Sequence, residues 1–417
     1  MGRTIVIGAG IAGLRCAGAV HAAGHAAGHE VLLLEASDRV GGRVATDRME
    51  TERGVYLLDR GFQVLLDSYE HTREVMSFSA LRLRAFEPGA LVWDGQRMLR
   101  LADPWRRPIK ALAGLARPVL PMGDVPGVLR LRKGVQGEPD CATIDTLRQA
   151  GISDRGIDRF FRPFFSGVFL ERELSTPAAM FRFVFERFAQ GSATLPERGM
   201  GAIPEQLASR LPTGAIRLGT PVERIEPGRV EIVGGESLHA DHIVVATPAP
   251  IAGRPDAPLA DADWNSTVCV YFDAEQDPVR EPTLVLNAVG DGPINHLAVL
   301  SGVQSSYAPH GRHLISASIV GRGGRAGMPP IEAVREQLRG WFGRRVETWT
   351  HLKTVHIAHA LPRRFAQAGT VAPGARLAEG LYVAGDTLHT PSIEGAMLSG
   401  SRAADAILTS GTGGAAA

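Results

Sequence analysis

The sequence predicts an α/β chain in which a Rossmann-type dinucleotide-binding domain, discontinuous in sequence, is joined to a mixed α+β substrate domain. Three observations predict it. A β-branched run leads into G-x-G-x-x-G at Gly8, Gly10 and Gly13, with a helical stretch behind it. A second apolar run, "EVLLLEA", ends in an acid, Glu35. Near the other end, "GLYVAGD" closes on Gly385 and Asp386 and is followed by another helical stretch.

Each part of the first sixty residues has a physical reason. The first glycine permits the tight strand-to-helix turn, the second lets a pyrophosphate approach the backbone, and the third lets helix and strand pack closely. The helix N-terminus then faces the phosphates. Glu35 can accept hydrogen bonds from both hydroxyls of an adenosine ribose, whereas a 2′-phosphate would be repelled. "DRVGGRVATD" follows directly: Gly41 and Gly42 make a turn, and Arg43 is placed to pair bidentately with a pyrophosphate. "GVYLLDRGFQVLL" then brings back Asp59, Gly61, Phe62 and Gln63 after a hairpin-like excursion.

Between the first helix and the second strand lies "HAAGHAAGHE", with His21, His25 and His29 at i, i+4 and i+8. The second His-Ala-Ala-Gly reads as a tandem duplication. Four residues are about 1.1 helical turns, so the insertion lengthens the connection without displacing Glu35. Gly24 or Gly28 is then the expected helix terminator. Three histidines on one face have metal-ligand spacing, but the glycines weaken the helix and Glu30 is the only neighbouring acid. No metal site is expected.

Composition sets the remaining bounds. The chain has 417 residues, 44% hydrophobic and 21% charged, enough for a large core or two domains. Its net charge of +1 gives no electrostatic footprint for nucleic acid. Three lysines against forty-two arginines read as a genomic bias. Cys16, Cys141 and Cys269 are few, distant and odd in number, which fits a reducing compartment. No apolar run reaches the length of a membrane span. No leader precedes the first motif, so a cytoplasmic protein is expected.

The segments "VIGAGIAGL…VLLLEASDRVGGRV…LLDRGFQVL" together resemble the flavin amine oxidase superfamily, which includes amine oxidases, protoporphyrinogen oxidases, phytoene and carotene desaturases, and squalene-associated FAD oxidoreductases. The resemblance implies an FAD site: Arg43 on the diphosphate and the Gly61-Phe62-Gln63 turn near the flavin ring. It assigns Asp386 to the ribityl and phosphate side. "EGAM", Glu394, Gly395, Ala396 and Met397, opens a helix whose backbone N–H groups would face the flavin pyrimidine, where negative charge builds on reduction. "LPERGMGAIPEQLASRL" resembles the step that re-enters the FAD domain, "IRLGTPVERIEP" the strand whose Val222 flanks adenine, and "ADHIVVATPAP" the strand whose Thr247 lies behind the cofactor. The expected FAD domain is 1–75, 196–252 and 376–417, and the substrate domain 76–195 and 253–375. No cysteine stands near the C-terminal motif, so the FAD is expected to be non-covalent.

Two segments of the substrate domain stand out. Residues 93–133 hold nine Arg or Lys and three Asp among Trp, Leu and Pro. Either a basic, apolar patch touches a membrane peripherally, or a cap presents a solvated charged face. The prolines preclude one long amphipathic helix. In residues 160–189, Phe181, Phe185 and Phe188 share a helical face with Met180 nearby, a core stripe that in relatives lines a substrate tunnel.

The resemblance also frames the chemistry. Amine oxidases of the superfamily carry a Lys where this chain has Thr267, and a Tyr before "EGA" where it has Thr390, Pro391, Ser392 and Ile393. "HIAHALPRRF" and the C-terminal segment look more like the desaturase and protoporphyrinogen oxidase branch. Oxidation or desaturation of a small apolar substrate, polyene, terpenoid or tetrapyrrole-like, is therefore expected. An amine oxidase and a non-redox FAD-binding protein are the alternatives. The candidate catalytic side chains are His389, as a proton donor or acceptor, Lys353, if its strand carries it inward, and Gln63.

Overall fold

The computed structural model describes residues 2–24, 28–102, 119–134, 141–248, 251–252, 263–321, 329–363 and 375–412. Two sheets position everything else. The first has six strands in the order Ile216–Arg217, Glu30–Leu34, Arg3–Ile7, His242–Val245, Leu381–Val383 and Arg376–Ala378. All its pairs are parallel except the last.

Parallel strands must be covered on both faces, which is why these are near-continuous Val, Ile and Leu runs. Successive side chains point to opposite faces. Val6, Leu33 and Val244 pack under the helices Ile11–Gly24, Ala202–Ala208 and Ile393–Thr412. Ile5, Leu32 and Ile243 pack against a three-stranded antiparallel sheet through Ile225, Val230 and Ile232. The C-terminal helix lies so close to the first that a methyl on Gly400 would come within 2.3 Å of the Ala12 carbonyl oxygen.

The second sheet has seven strands: Thr350–Pro362, Trp264–Ala274, His313–Val320, His296–Val299, Leu284–Asn287, Gly89–Trp93 and Met98–Ala102. It is antiparallel apart from one parallel pair, Leu284–Asn287 with Gly89–Trp93. One face packs on the amphipathic helix Ile331–Phe342 through Val334, Leu338 and Trp341. The phenylalanine-rich helices Arg162–Phe169 and Ala178–Gln190 form their own core.

Asp59 ties the two halves together. It is 1% exposed. Its carboxylate accepts from Thr46 Oγ1 at 2.5 Å, Met200 N at 2.9 Å and Tyr307 Oη at 2.8 Å. Its carbonyl accepts from Tyr271 Oη at 2.6 Å. Burial pushes the carboxyl up to about 6, and the three donors only partly oppose that shift.

The histidine repeat is divided by a helix end. The first helix stops at Gly24, and Gly28 turns the chain at φ +69°. His21 therefore stands on the helix and His29 beyond it, not on one helical stripe. His29 bonds Thr4 Oγ1 at 2.8 Å and stacks on His242 at 6.1 Å. His25 lies outside the described residues.

Candidate functional site: a dinucleotide cradle opening on an apolar cavity

The three fingerprint glycines do separate jobs. Gly8 turns at φ +105° and packs against Ala246 and Thr247, which puts Thr247 directly behind the loop. A methyl on Gly13 would come within 2.0 Å of the Gly8 carbonyl oxygen, so this glycine sets helix-to-strand packing. A methyl on Gly10 would meet no atom within 4 Å: the space beside it is open. Gly41 bridges to Gly10, and its N–H donates to the Ala9 carbonyl at 2.8 Å. Gly41 and Gly42 both have positive φ, +115° and +59°. Two glycine turns thus border one open slot at a helix N-terminus, the geometry that receives a pyrophosphate.

Glu35 stands at the rim of that slot. Its Oε2 accepts from Ala9 N at 2.7 Å, and its Oε1 accepts from Ser37 N and Oγ at 2.9 and 2.8 Å. Its carbonyl accepts from Thr220 N, which brings half-buried Val222 to the same end. Arg43 Nη2 donates to Asp386 Oδ1 at 2.5 Å, and its guanidinium lies 5.2 Å from the Trp264 ring centroid. This pair joins the Gly-Gly turn to the C-terminal motif, where Gly385 N donates to Ser399 Oγ at 3.0 Å.

The C-terminal helix begins where the resemblance implied, with a different division of labour. Ser392 caps it: Oγ accepts from Gly395 N and the carbonyl from Ala396 N, both at 3.0 Å. A methyl on Gly395 would come within 1.9 Å of the Thr390 carbonyl oxygen, so only glycine fits this turn. Ile393 and Glu394 are then the turn's remaining donors. The Glu394 side chain faces away, accepting from His71 N, Thr72 N and Thr72 Oγ1 at 2.8, 2.9 and 2.6 Å. Ala396 and Met397 point into the core. This segment therefore offers a cofactor its backbone, not the Glu394 or Met397 side chains.

From the cradle a cavity of about 490 Å³ runs between the two sheets and the phenylalanine helices. Arg43, Gly61, Gln63, Thr267, Ile357 and Ile393 contribute to its wall. Leu120, Val128, Phe160, Phe164, Phe185 and Phe188 also line it, with Met180. Phe181 is instead buried in the helical core. Gln63 Nε2 is anchored on the Arg43 and Arg60 carbonyls at 2.8 and 3.0 Å, while its Oε1 is buried without a partner.

Two of the three catalytic candidates are not on the cavity wall. Lys353 donates to Asp47 Oδ2 at 2.7 Å. Arg39 and Arg60 converge on the same carboxylate. Against the cost of burial, Lys353 and Arg39 hold Asp47 below the usual carboxylate range. Lys353 shares a strand face with cavity-lining Ile357, four residues on, but stands further along the strand, beside Asp47 and outside the cavity. His389 meets Thr390 Oγ1 at 3.2 Å on the side of Arg402 and Glu394; burial, then Arg402, lowers its pKa. Only Gln63 faces the cavity.

Sequence reasoning missed His296. It is 4% exposed, lines the cavity, and meets the Phe62 ring edge-on at 4.9 Å. Burial pulls its pKa down to about 4, so it is neutral. It is a lone histidine in "INHLAVL" with no spaced partner, and no sequence signal could have found it.

These residues fit FAD: an open slot between glycine turns for the diphosphate, a ribose acid, and an adjoining cavity whose wall includes Gly61 and Ile393 at the first turn of the C-terminal helix. Fold and site together define an FAD-binding chain. The chain belongs to the flavin containing amine oxidoreductase family, whose profile matches residues 11–408. Among curated proteins it is similar to the corticosteroid-binding protein of Candida albicans, 22% identical over 290 residues, covering 63% of this chain and 55% of that one. It thus spans about half the length of that relative, and it matches 15% of an L-amino-acid oxidase from Demansia vestigiata at 46% identity over 84 residues, 20% of this chain. Among solved structures, a protoporphyrinogen oxidase-like protein from Exiguobacterium sp. 255-15 aligns with a TM-score of 0.71 at 18% identity, over 98% of this chain and 99% of that one. Cyclohexylamine oxidase from Brevibacterium oxydans aligns with a TM-score of 0.69 at 20% identity, over 99% of each. These structural likenesses establish the fold.

Proposed function

We propose that this oxidoreductase removes hydrogen from a neutral, apolar substrate of polyene, terpenoid or tetrapyrrole-like character. FAD, held non-covalently, supplies the hydride acceptor at N5. The observation that carries the reading is the cavity wall, which holds Phe160, Phe164, Phe185 and Phe188 and also Thr267, the position where the resemblance implies a Lys in amine oxidases. The Thr267 hydroxyl is spent on the Ile319 carbonyl at 2.9 Å. The chain's part is to exclude water and to hold the substrate against the end bounded by Gly61 and Gln63. Non-covalent attachment is supported by the cysteines: Cys16 and Cys269 are buried, and burial pushes the Cys16 thiol up to about 12. Anaerobic mixing of the FAD-loaded protein with apolar polyenes, and separately with primary and secondary amines, tests the reading. Bleaching by the former supports it; bleaching by amines alone replaces it with an amine oxidase.

We further propose that the helix Val125–Lys133 rests on a membrane surface. Met122, Val125 and Leu129 are exposed by 65%, 44% and 42%, beside exposed Arg130 and Lys133. Val128 of the same helix lines the cavity. Residues 103–118 of the basic stretch lie outside the described residues. Among the described residues no helix is long and apolar enough to cross a membrane. Co-sedimentation with anionic vesicles, lost in M122E/V125E/L129E, checks this contact.

A further inference from the structure

The apolar cavity has a polar spot that none of the roles above uses. His296 and Ser318 stand directly opposite each other on antiparallel strands, so their side chains share one face of the sheet. Both line the cavity and are nearly fully buried, at 4% and 2% exposure. His296 Nε2 lacks a hydrogen-bond partner, and the Ser318 hydroxyl has only the weakly bonding Cys269 thiol opposite it. Buried polar atoms are rarely left unpaired, and an unpartnered imidazole nitrogen beside a hydroxyl on a cavity wall calls for a ligand atom.

The protonation of the ring follows from its neighbours. Asn295 Nδ2 donates to the Pro163 carbonyl at 2.9 Å, and a carbonyl can only accept, so the amide orientation is fixed. The same nitrogen lies 3.1 Å from His296 Nδ1, which must therefore accept. The neutral ring then carries its proton on Nε2, the atom without a partner. The ring is also clamped. A methyl on Gly167 would come within 2.9 Å of Nδ1, and Phe62 presses from the other direction at 4.9 Å.

We propose that His296 Nε2–H, with the Ser318 hydroxyl, binds a carbonyl or hydroxyl oxygen of the substrate. The proposal rests on the apolar-substrate reading and narrows it to a hydrophobe with one neutral oxygen function. Phe62 belongs to the Gly61–Gln63 turn, so the oxygen is held between that turn and the helix Arg162–Phe169, and the hydrocarbon lies against Phe160 and Phe164. A neutral imidazole offers a donor without a charge, which selects a ketone or alcohol over a carboxylate.

The test uses the FAD-loaded protein and two probes of matched shape, 2-acetylnaphthalene and 2-ethylnaphthalene, titrated by calorimetry. The ketone is expected to bind about tenfold tighter, and its carbonyl stretch to fall in frequency on binding. His296→Phe should collapse that preference to within about twofold and restore the free carbonyl frequency. Ser318→Ala should weaken the preference in part. The wild-type comparison and the infrared shift need no variant, so misfolding of His296→Phe leaves the proposal testable. Equal binding of the two probes with an unshifted carbonyl overturns it and leaves the apolar reading standing. Binding of neither probe overturns both.

Discussion

The cradle and the cavity are adjoining regions built by opposite rules. In the cradle, backbone approaches backbone and cofactor so closely that particular residue types are forced: Gly13 by the Gly8 carbonyl, Gly395 by the Thr390 carbonyl, Gly8 and Gly41 by their positive φ. In the cavity, walls come from segments as distant as Gln63, Phe164, His296 and Ile357, and each wall residue need only be apolar and of the right size. The cradle therefore constrains identity position by position, whereas the cavity constrains shape.

The largest expected effect separates two glycines within the cradle. Gly13→Ala puts a methyl on a carbonyl oxygen and should cost more than about 3 kcal/mol, with FAD lost alongside the fold. Gly10→Ala meets no protein atom, so the melting temperature without FAD should stay near wild type while FAD affinity falls at least about tenfold. Thermal melts and flavin retention on gel filtration check both. Equal destabilisation by the two would break the division between packing glycine and phosphate glycine.

The next effect lies at the seam. Folding raises the Asp59 carboxyl from its ordinary 3.8 to about 6. The protonated form is thus favoured in the folded state, and the stabilisation it brings is complete below about pH 3.8 and lost as pH rises through about 6. Asn cannot ionise and escapes that loss. Between about pH 4 and pH 8 the stability of wild type relative to Asp59→Asn should fall by about 2 kcal/mol, read from denaturant curves at each pH. A pH-independent difference would mean that Asp59 has an ordinary pKa.

The smallest effects concern the side chains that lie off the cavity. Lys353→Met breaks an exposed contact to Asp47, and its stability cost should stay below about 1 kcal/mol. His389→Ala removes a bond to the adjacent threonine. Both variants should retain FAD and reduce it within about twofold of wild type, measured by stopped flow. A tenfold slower reduction in either would return that residue to the site.

How much was legible in the sequence follows the same division. Gly8, Gly10, Gly13, Glu35 and Arg43 sit on contiguous motifs because one strand–turn–helix unit makes most of the cradle, and the structure brings them together around one slot. Asp386 is legible for the same reason at the other end of the chain. The Glu394 side chain was not, because its acceptors are taken by His71 and Thr72 more than three hundred residues earlier in the chain. Lys353 shows the limit of pattern: period-two alternation puts it on the same strand face as cavity-lining Ile357, and only its place further along the strand, beside Asp47, keeps it out of the cavity. His296 becomes visible only when Asn295, Pro163, Gly167 and Phe62 assemble around it.

The central claim is that an FAD cradle of this family serves a neutral, apolar substrate, and the most direct test is the oxidised-flavin absorbance of the anaerobic protein during addition of candidate donors. Bleaching by an apolar, oxygen-bearing polyene or terpenoid is expected, and none by primary or secondary amines. Bleaching by amines alone, with the apolar donors inert, would contradict it.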